Sequence, residues 1–147
     1  MVELLPFIEE AFSKGLTFKI PVTGTSMNPV LVAGRDHVLI EKPQLPLEIG
    51  DVPLYRRDDG TFVLHRVVDK NEKGYVMCGD NQFILEKGIC DRHIIGVMCA
   101  VCRGAEILAV DDEKYIKIKN EYVRNVKRRY PIRRLRYKLY RLRNGKK

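Results

Sequence analysis

Up to residue 110 the apolar positions fall in short runs rich in Val and Ile, cut by Gly, Pro and Asp-Gly. Beyond residue 113 they recur every three or four places among arginines. The first pattern is that of short β-strands and the second that of helix. Strands are predicted at Leu16–Val22, His37–Glu41, Val52–Arg56, Thr61–Val68, Tyr75–Gly79, His93–Cys102 and Ala105–Val110. Asp58-Asp59-Gly60 and Asn71-Glu72-Lys73-Gly74 are predicted turns between consecutive strands. Ahead of the strands, Leu4, Leu5, Ile8, Ala11 and Phe12 repeat at helical spacing and Gly15 is a natural stop. A short amphipathic helix over 2–14, packed on the domain, is therefore expected. The fold class is mainly β: a compact, twisted β-domain with partly barrel-like sheets, a short N-terminal helix and a basic C-terminal helical tail.

Charge divides the chain at the same place. The 147 residues carry a formal net charge of +8, but Lys114 to Lys147 hold 15 Lys and Arg against the single acid Glu121, which is +14. The remaining 12 basic and 18 acidic residues leave the preceding part at −6. A mildly acidic β-body over 1–112 and a basic amphipathic tail over 113–147 are the expected units. In the tail, Tyr115, Ile118, Tyr122, Val126 and Tyr130 lie roughly on one side of a helix that Pro131 is expected to break or kink. A second helix then presents Ile132, Leu135, Leu139 and Leu142 amid arginines.

Three segments of the body hold the residue types that acyl transfer needs: a hydroxyl nucleophile, an imidazole base and a carboxylate to orient it. They are Gly24-Thr25-Ser26-Met27-Asn28-Pro29, Leu64-His65-Arg66 and Gly79-Asp80-Asn81. Together with Gly50-Asp51-Val52-Pro53-Leu54-Tyr55 and Ile95-Gly96-Val97, their order resembles the signal peptidase I superfamily of serine peptidases, which includes the LexA-type self-cleaving proteins. The resemblance runs from about Lys19 to Arg103. His65-Arg66 stands where the common bacterial enzymes and LexA carry a lysine, which is similar to the archaeal and eukaryotic-type signal peptidases.

The resemblance implies Ser26 as nucleophile, His65 as general base and Asp80 as acidic partner, with Glu86 as the reserve acid. It implies the family's compact β-fold and a preference for small residues before the cut. Substrate would then be bound around Gly24, Thr25, Met27, Pro29 and Leu64, although Met27 and Pro29 are equally compatible with packing and turn formation. Gly24 departs from the family pattern: many members place a serine there that donates to the oxyanion, and glycine has no side-chain donor. The oxyanion would rest mainly on backbone N–H groups. Asp80 between Gly and Asn also suits a plain turn, and a histidine in a strand is commonly structural. His37 and His93 read as structural or exposed, and Arg66 as the anchor of a carboxylate or carbonyl.

Cys78, Cys90, Cys99 and Cys102 are too few and too irregular for a disulfide scaffold, and His37, His65 and His93 do not pair with them at zinc-ligand spacing. The chemistry requires neither metal nor organic cofactor. The N-terminal segment carries Glu3, Glu9 and Glu10 and lacks the long apolar centre of a secretory signal, and no run of ~20 apolar residues occurs. A cytoplasmic protein is expected. Three roles compete for the tail: packing on the body or another subunit, contact with an anionic membrane surface, and binding of nucleic acid. Packing with peripheral membrane contact is favoured, because a signal-peptidase-like enzyme without an anchor still needs its substrates. The expected function is a serine endopeptidase acting on a peptide or protein substrate in leader-peptide or partner processing. The alternative is a non-catalytic β-module whose tail binds nucleic acid, membrane or a protein partner.

Overall fold

The computed structural model describes residues 1–144, except the side chains of positions 127, 129, 130, 133, 136, 137, 140 and 144. The expected place of Tyr130 on the apolar side of the tail, and the tail's last three positions, lie outside the described residues. After a 3-10 turn at Val2–Leu4, the amphipathic repeat folds as helix α1 (Leu5–Ser13). Its Ile8 is fully buried, with Leu4 and Phe12 against the same core. Gly15, at φ 69°, ends the segment in the left-handed conformation that glycine adopts without a Cβ clash.

Among the described residues nine strands follow: β1 (Phe18–Pro21), β2 (Asp36–Glu41), β3 (Pro53–Arg56), β4 (Phe62–Leu64), β5 (Arg66–Asn71), β6 (Gly74–Cys78), β7 (Glu86–Ile89), β8 (Ile94–Arg103) and β9 (Glu106–Ala109). Strand exceeds helix, 34% against 29%, so the protein is mainly β as the alternation predicts. One antiparallel sheet has the order β1-β2-β8-β3-β4, with β9 also paired to β8. The ten-residue β8 makes this possible: β2 pairs with its Val97–Arg103 stretch, β3 with Ile94–Val97 and β9 with Ala100–Arg103. Register shifts at Leu39/Ile40 and Leu54/Tyr55 add local bend and twist to a curled sheet. A second sheet has the order β5-β6-β7. The segment Gly50–Val52 ties the two together, since Gly50 and Asp51 exchange backbone hydrogen bonds with Val67 while Val52 accepts from Met98.

Both expected turns form. Gly60 N–H bonds to the Arg57 carbonyl between β3 and β4, and Asn71 pairs with Gly74 between β5 and β6. Three expectations are corrected. Thr61–Val68 is not one strand: Leu64 pairs with Leu54 in the first sheet and Arg66 with Cys78 in the second, so the chain changes sheets at His65. Apolar residues flank the switch on both sides, so alternation carries no sign of it. β7 was not anticipated, because Gly88 and Lys87 interrupt the pattern that would mark a strand. Finally, the tail is a single helix, α2 (Glu113–Asn144), which Pro131 does not break into two. Proline removes one backbone bond locally, while the Lys, Arg and Leu around it are strong helix formers.

The start of α2 belongs to the body. Tyr115 is 1% exposed in the main core with Ile8, Val38 and Ile40, and Val126 packs on a smaller cluster of Val68, Val76 and Cys78. Leu47, Tyr55, Val67, Tyr75, Met77 and Ile89 form the remaining cluster between the sheets. Among the described residues, no helix is long and apolar enough to cross a membrane.

Candidate active site

Ser26 lies in the loop that joins β1 to β2, with Gly24 two places before it at φ 72°, where a side chain would be strained. The base of this loop is clamped by Asp36. Its buried carboxylate accepts from Val32 N–H at 2.9 Å, from Arg35 at 2.9 and 2.8 Å and from Arg103 at 2.9 and 3.2 Å. Burial alone would raise the Asp36 pKa, but these bonds outweigh it and hold the carboxyl far below its ordinary range. Met27 is 3% exposed and anchors the loop in the core.

The far side of the loop rests on Gly79-Asp80-Asn81. Asn81 N–H donates to the Ser26 carbonyl at 2.7 Å, and its side-chain amide donates to the Thr25 carbonyl at 3.1 Å. A Cβ placed on Gly79 would lie 2.6 Å from the Ser26 carbonyl oxygen and 3.1 Å from His65 Nε2. All three expected segments therefore meet around one glycine. Ser26, half-buried, and His65, 5% exposed, line the same cleft of about 250 Å³.

His65 sits where the chain leaves β4 for β5, which turns its ring inward. Burial is the main influence on it and pushes its pKa down to about 4, while the nearby charges of Glu86 and Asp80 oppose this and Arg57 adds to it. The imidazole is thus neutral at pH 7, the state in which a ring nitrogen accepts a proton.

Two carboxylates surround it, and their hydrogen bonds differ. Asp80 receives Arg66 at two points, Nε to Oδ1 at 2.8 Å and Nη2 to Oδ2 at 2.6 Å. Arg66 is fully buried and also donates to the Gly50 carbonyl at 3.0 Å and the Tyr115 hydroxyl at 3.2 Å. It is the carboxylate anchor that the sequence suggested. Glu86 accepts the Tyr55 hydroxyl proton at 2.7 Å and both Arg57 donors at 2.6 and 2.7 Å, and the Tyr55 oxygen stands 3.4 Å from His65 Nδ1. Burial works to raise the Glu86 pKa, but the bonds from Arg57 and Tyr55 prevail and hold it below the usual carboxylate value. Burial, helped by Glu86, drives the Tyr55 hydroxyl well above its ordinary value, so it keeps its proton.

Of the expected substrate-binding residues, Met27 and Leu64 line the cleft, whereas Gly24, Thr25 and Pro29 are exposed elsewhere on the loop. Sequence reasoning missed Tyr55, Arg57 and the Asp36 clamp; the Gly50–Tyr55 motif was the only local sign of the first. His37 is exposed, and His93 is buried on Asp58 and the Cys90 backbone. The four cysteines form no disulfide, and no three His, Cys, Asp or Glu side chains among the described residues gather in metal-ligating geometry. Comparison with models of protein families finds no match, and comparison with curated proteins finds no similar sequence.

Proposed function

We propose that this chain is a serine endopeptidase of the signal-peptidase-like kind, with Ser26 as nucleophile and His65 as general base. The observation that carries this reading is the convergence of Ser26 and a buried, neutral His65 on one cleft around Gly79. His65 Nε2 takes the Ser26 hydroxyl proton as Oγ attacks a peptide carbonyl. The imidazolium returns it to the leaving amine, and a water activated by the same nitrogen then releases the acyl group. Charge on Glu86 and Asp80 favours the transient imidazolium, which burial alone would disfavour.

Binding follows from the sheet. β1 and β4 stand at the two ends of the first sheet's strand path, and both border the cleft through Ile20, Pro21, Phe62 and Leu64. A peptide in extended form gains main-chain hydrogen bonds by lying along such an edge. The apolar walls of Met27, Leu54 and Leu64 and the small volume suit small side chains before the cut. Leader-peptide trimming or processing of a partner protein fits this specificity. Peripheral contact with an anionic membrane through α2 belongs to the same proposal: Ile132, Leu135, Leu139 and Leu142 are each more than half exposed on a helix dominated by Arg and Lys.

The test is covalent labelling with a fluorophosphonate and a penem, read by intact mass. One adduct on wild type that maps to Ser26 and disappears in Ser26→Ala and His65→Ala supports the reading. No adduct on folded protein overturns it and favours the non-catalytic β-module whose basic tail engages a partner.

A further inference from the structure

The carboxylate beside a catalytic imidazole usually touches it directly, but here a tyrosine stands between. We infer that Tyr55 and Glu86 are positioning residues that set the tautomer of His65, holding the proton on Nδ1 so that Nε2 is left with its lone pair on the Ser26 side. The inference rests on the peptidase reading for its catalytic meaning, although the tautomer itself is a property of the folded chain.

Glu86 is bound at two points by Arg57 and is ionised, so it only accepts. At 2.7 Å it fixes the Tyr55 hydroxyl hydrogen toward itself. The Tyr55 oxygen then offers only lone pairs to the imidazole nitrogen 3.4 Å away, and the compatible neutral form of His65 carries its hydrogen on Nδ1. The contact is long for a hydrogen bond, and such contacts commonly tighten when substrate binds. Nε2, on the opposite side of the ring, lies 3.1 Å from the point where a Gly79 Cβ would sit, next to the Ser26 carbonyl. Tyr55 is fully buried and its ring meets the imidazole edge to face, with centroids 6.4 Å apart, which limits rotation of both rings. Arg57 holds the far end of the relay and also lines the cleft, so the carboxylate is fixed from outside.

The experiment is nitrogen-15 NMR of the imidazole in wild type and Tyr55→Phe at pH 7, beside fluorophosphonate labelling kinetics. Wild type is expected to show a protonated Nδ1 and an unprotonated Nε2. Tyr55→Phe is expected to lose that preference and to label about 10- to 100-fold more slowly, with the loss in the maximal rate and not in probe affinity. Glu86→Gln, a gentler change that frees the tyrosine proton, should move both readouts in the same direction and serves if Tyr55→Phe fails to fold. A wild-type ring protonated on Nε2, or a Nδ1–H tautomer unchanged in both variants, overturns the inference. The expected tautomer together with no labelling of wild type overturns the peptidase reading and leaves the tautomer assignment supported.

Discussion

Arg66 and Asp80 form a two-point ion pair directly behind His65, with N–O distances of 2.8 and 2.6 Å and neither side chain more than 1% exposed. One residue adjoins the candidate base in sequence, and the other stands between the two residues of the turn that holds the Ser26 loop. The pair therefore links β5 to the Gly79–Asn81 turn and fixes the distance between the two halves of the site. Through Gly50 and Tyr115, Arg66 also joins that site to α2.

Breaking this pair from either side should be severe. Arg66→Met leaves a carboxylate buried without its guanidinium, and Asp80→Asn leaves the reverse, each expected to cost about 3–5 kcal/mol. Urea unfolding followed by circular dichroism measures this. A loss below about 1 kcal/mol in both variants would show that the pair does not carry the packing around it.

Gly79→Ala should damage the site more than its one added methyl suggests. The new Cβ would meet the Ser26 carbonyl at 2.6 Å, and a backbone atom held by the Asn81 N–H has little room to give. A stability loss of about 1–3 kcal/mol and a drop of at least tenfold in Ser26 labelling are expected. Wild-type labelling rates in this variant would argue that the three segments do not act as one site.

His65 makes stability fall in mild acid. Its folded pKa of about 4 lies below the unfolded value of 6.5, so between these values the unfolded chain takes up a proton that the folded one refuses. Stability is full above the unfolded value and declines as pH drops through the window, by on the order of 3 kcal/mol at its lower end. His65→Gln should flatten the slope between pH 6.5 and 5, before the carboxylates titrate. In the same range the labelling rate of wild type should stay level, because the base is already neutral. A slope identical in wild type and variant would show that the ring does not titrate as its burial implies.

The two ends of α2 should differ in how much a mutation costs. Tyr115→Ala removes a buried ring and is expected to cost about 3–5 kcal/mol. Leu139→Ala, on an exposed position, should change stability by no more than about 0.5 kcal/mol. The same Leu139→Ala should weaken sedimentation with vesicles containing phosphatidylserine, and binding of wild type should fall as salt rises. Equal sedimentation with neutral and anionic vesicles would remove the membrane role from the proposal.

Much of this architecture is legible along the chain. The helix of Leu4, Leu5, Ile8, Ala11 and Phe12, most of the strands and both turns follow from spacings of two or of three to four and from Gly and Asp chemistry. These are local rules, obeyed by residues that are neighbours in sequence. The residue types for acyl transfer are also visible, since a motif needs only order and composition. The break expected at Pro131 does not occur because the cost of proline is local, while the helix formers around it act over the whole segment.

What the tertiary structure alone decided is who meets whom. The strand switch at His65 depends on Leu64 finding Leu54 and Arg66 finding Cys78, which are partners 10 and 12 positions away in two different sheets. The relay from Tyr55 to Glu86 spans 31 positions and exists only because β3 and β7 converge on the same ring. Likewise, Asp80 faces Arg66, and Glu86 reaches His65 through Tyr55, because burial and sheet register place them so. Sequence by itself determined the elements and the chemical parts, through periodicity and side-chain type. The fold determined the proton's address, because a hydrogen bond depends on ångström distances set by the packing of the whole core.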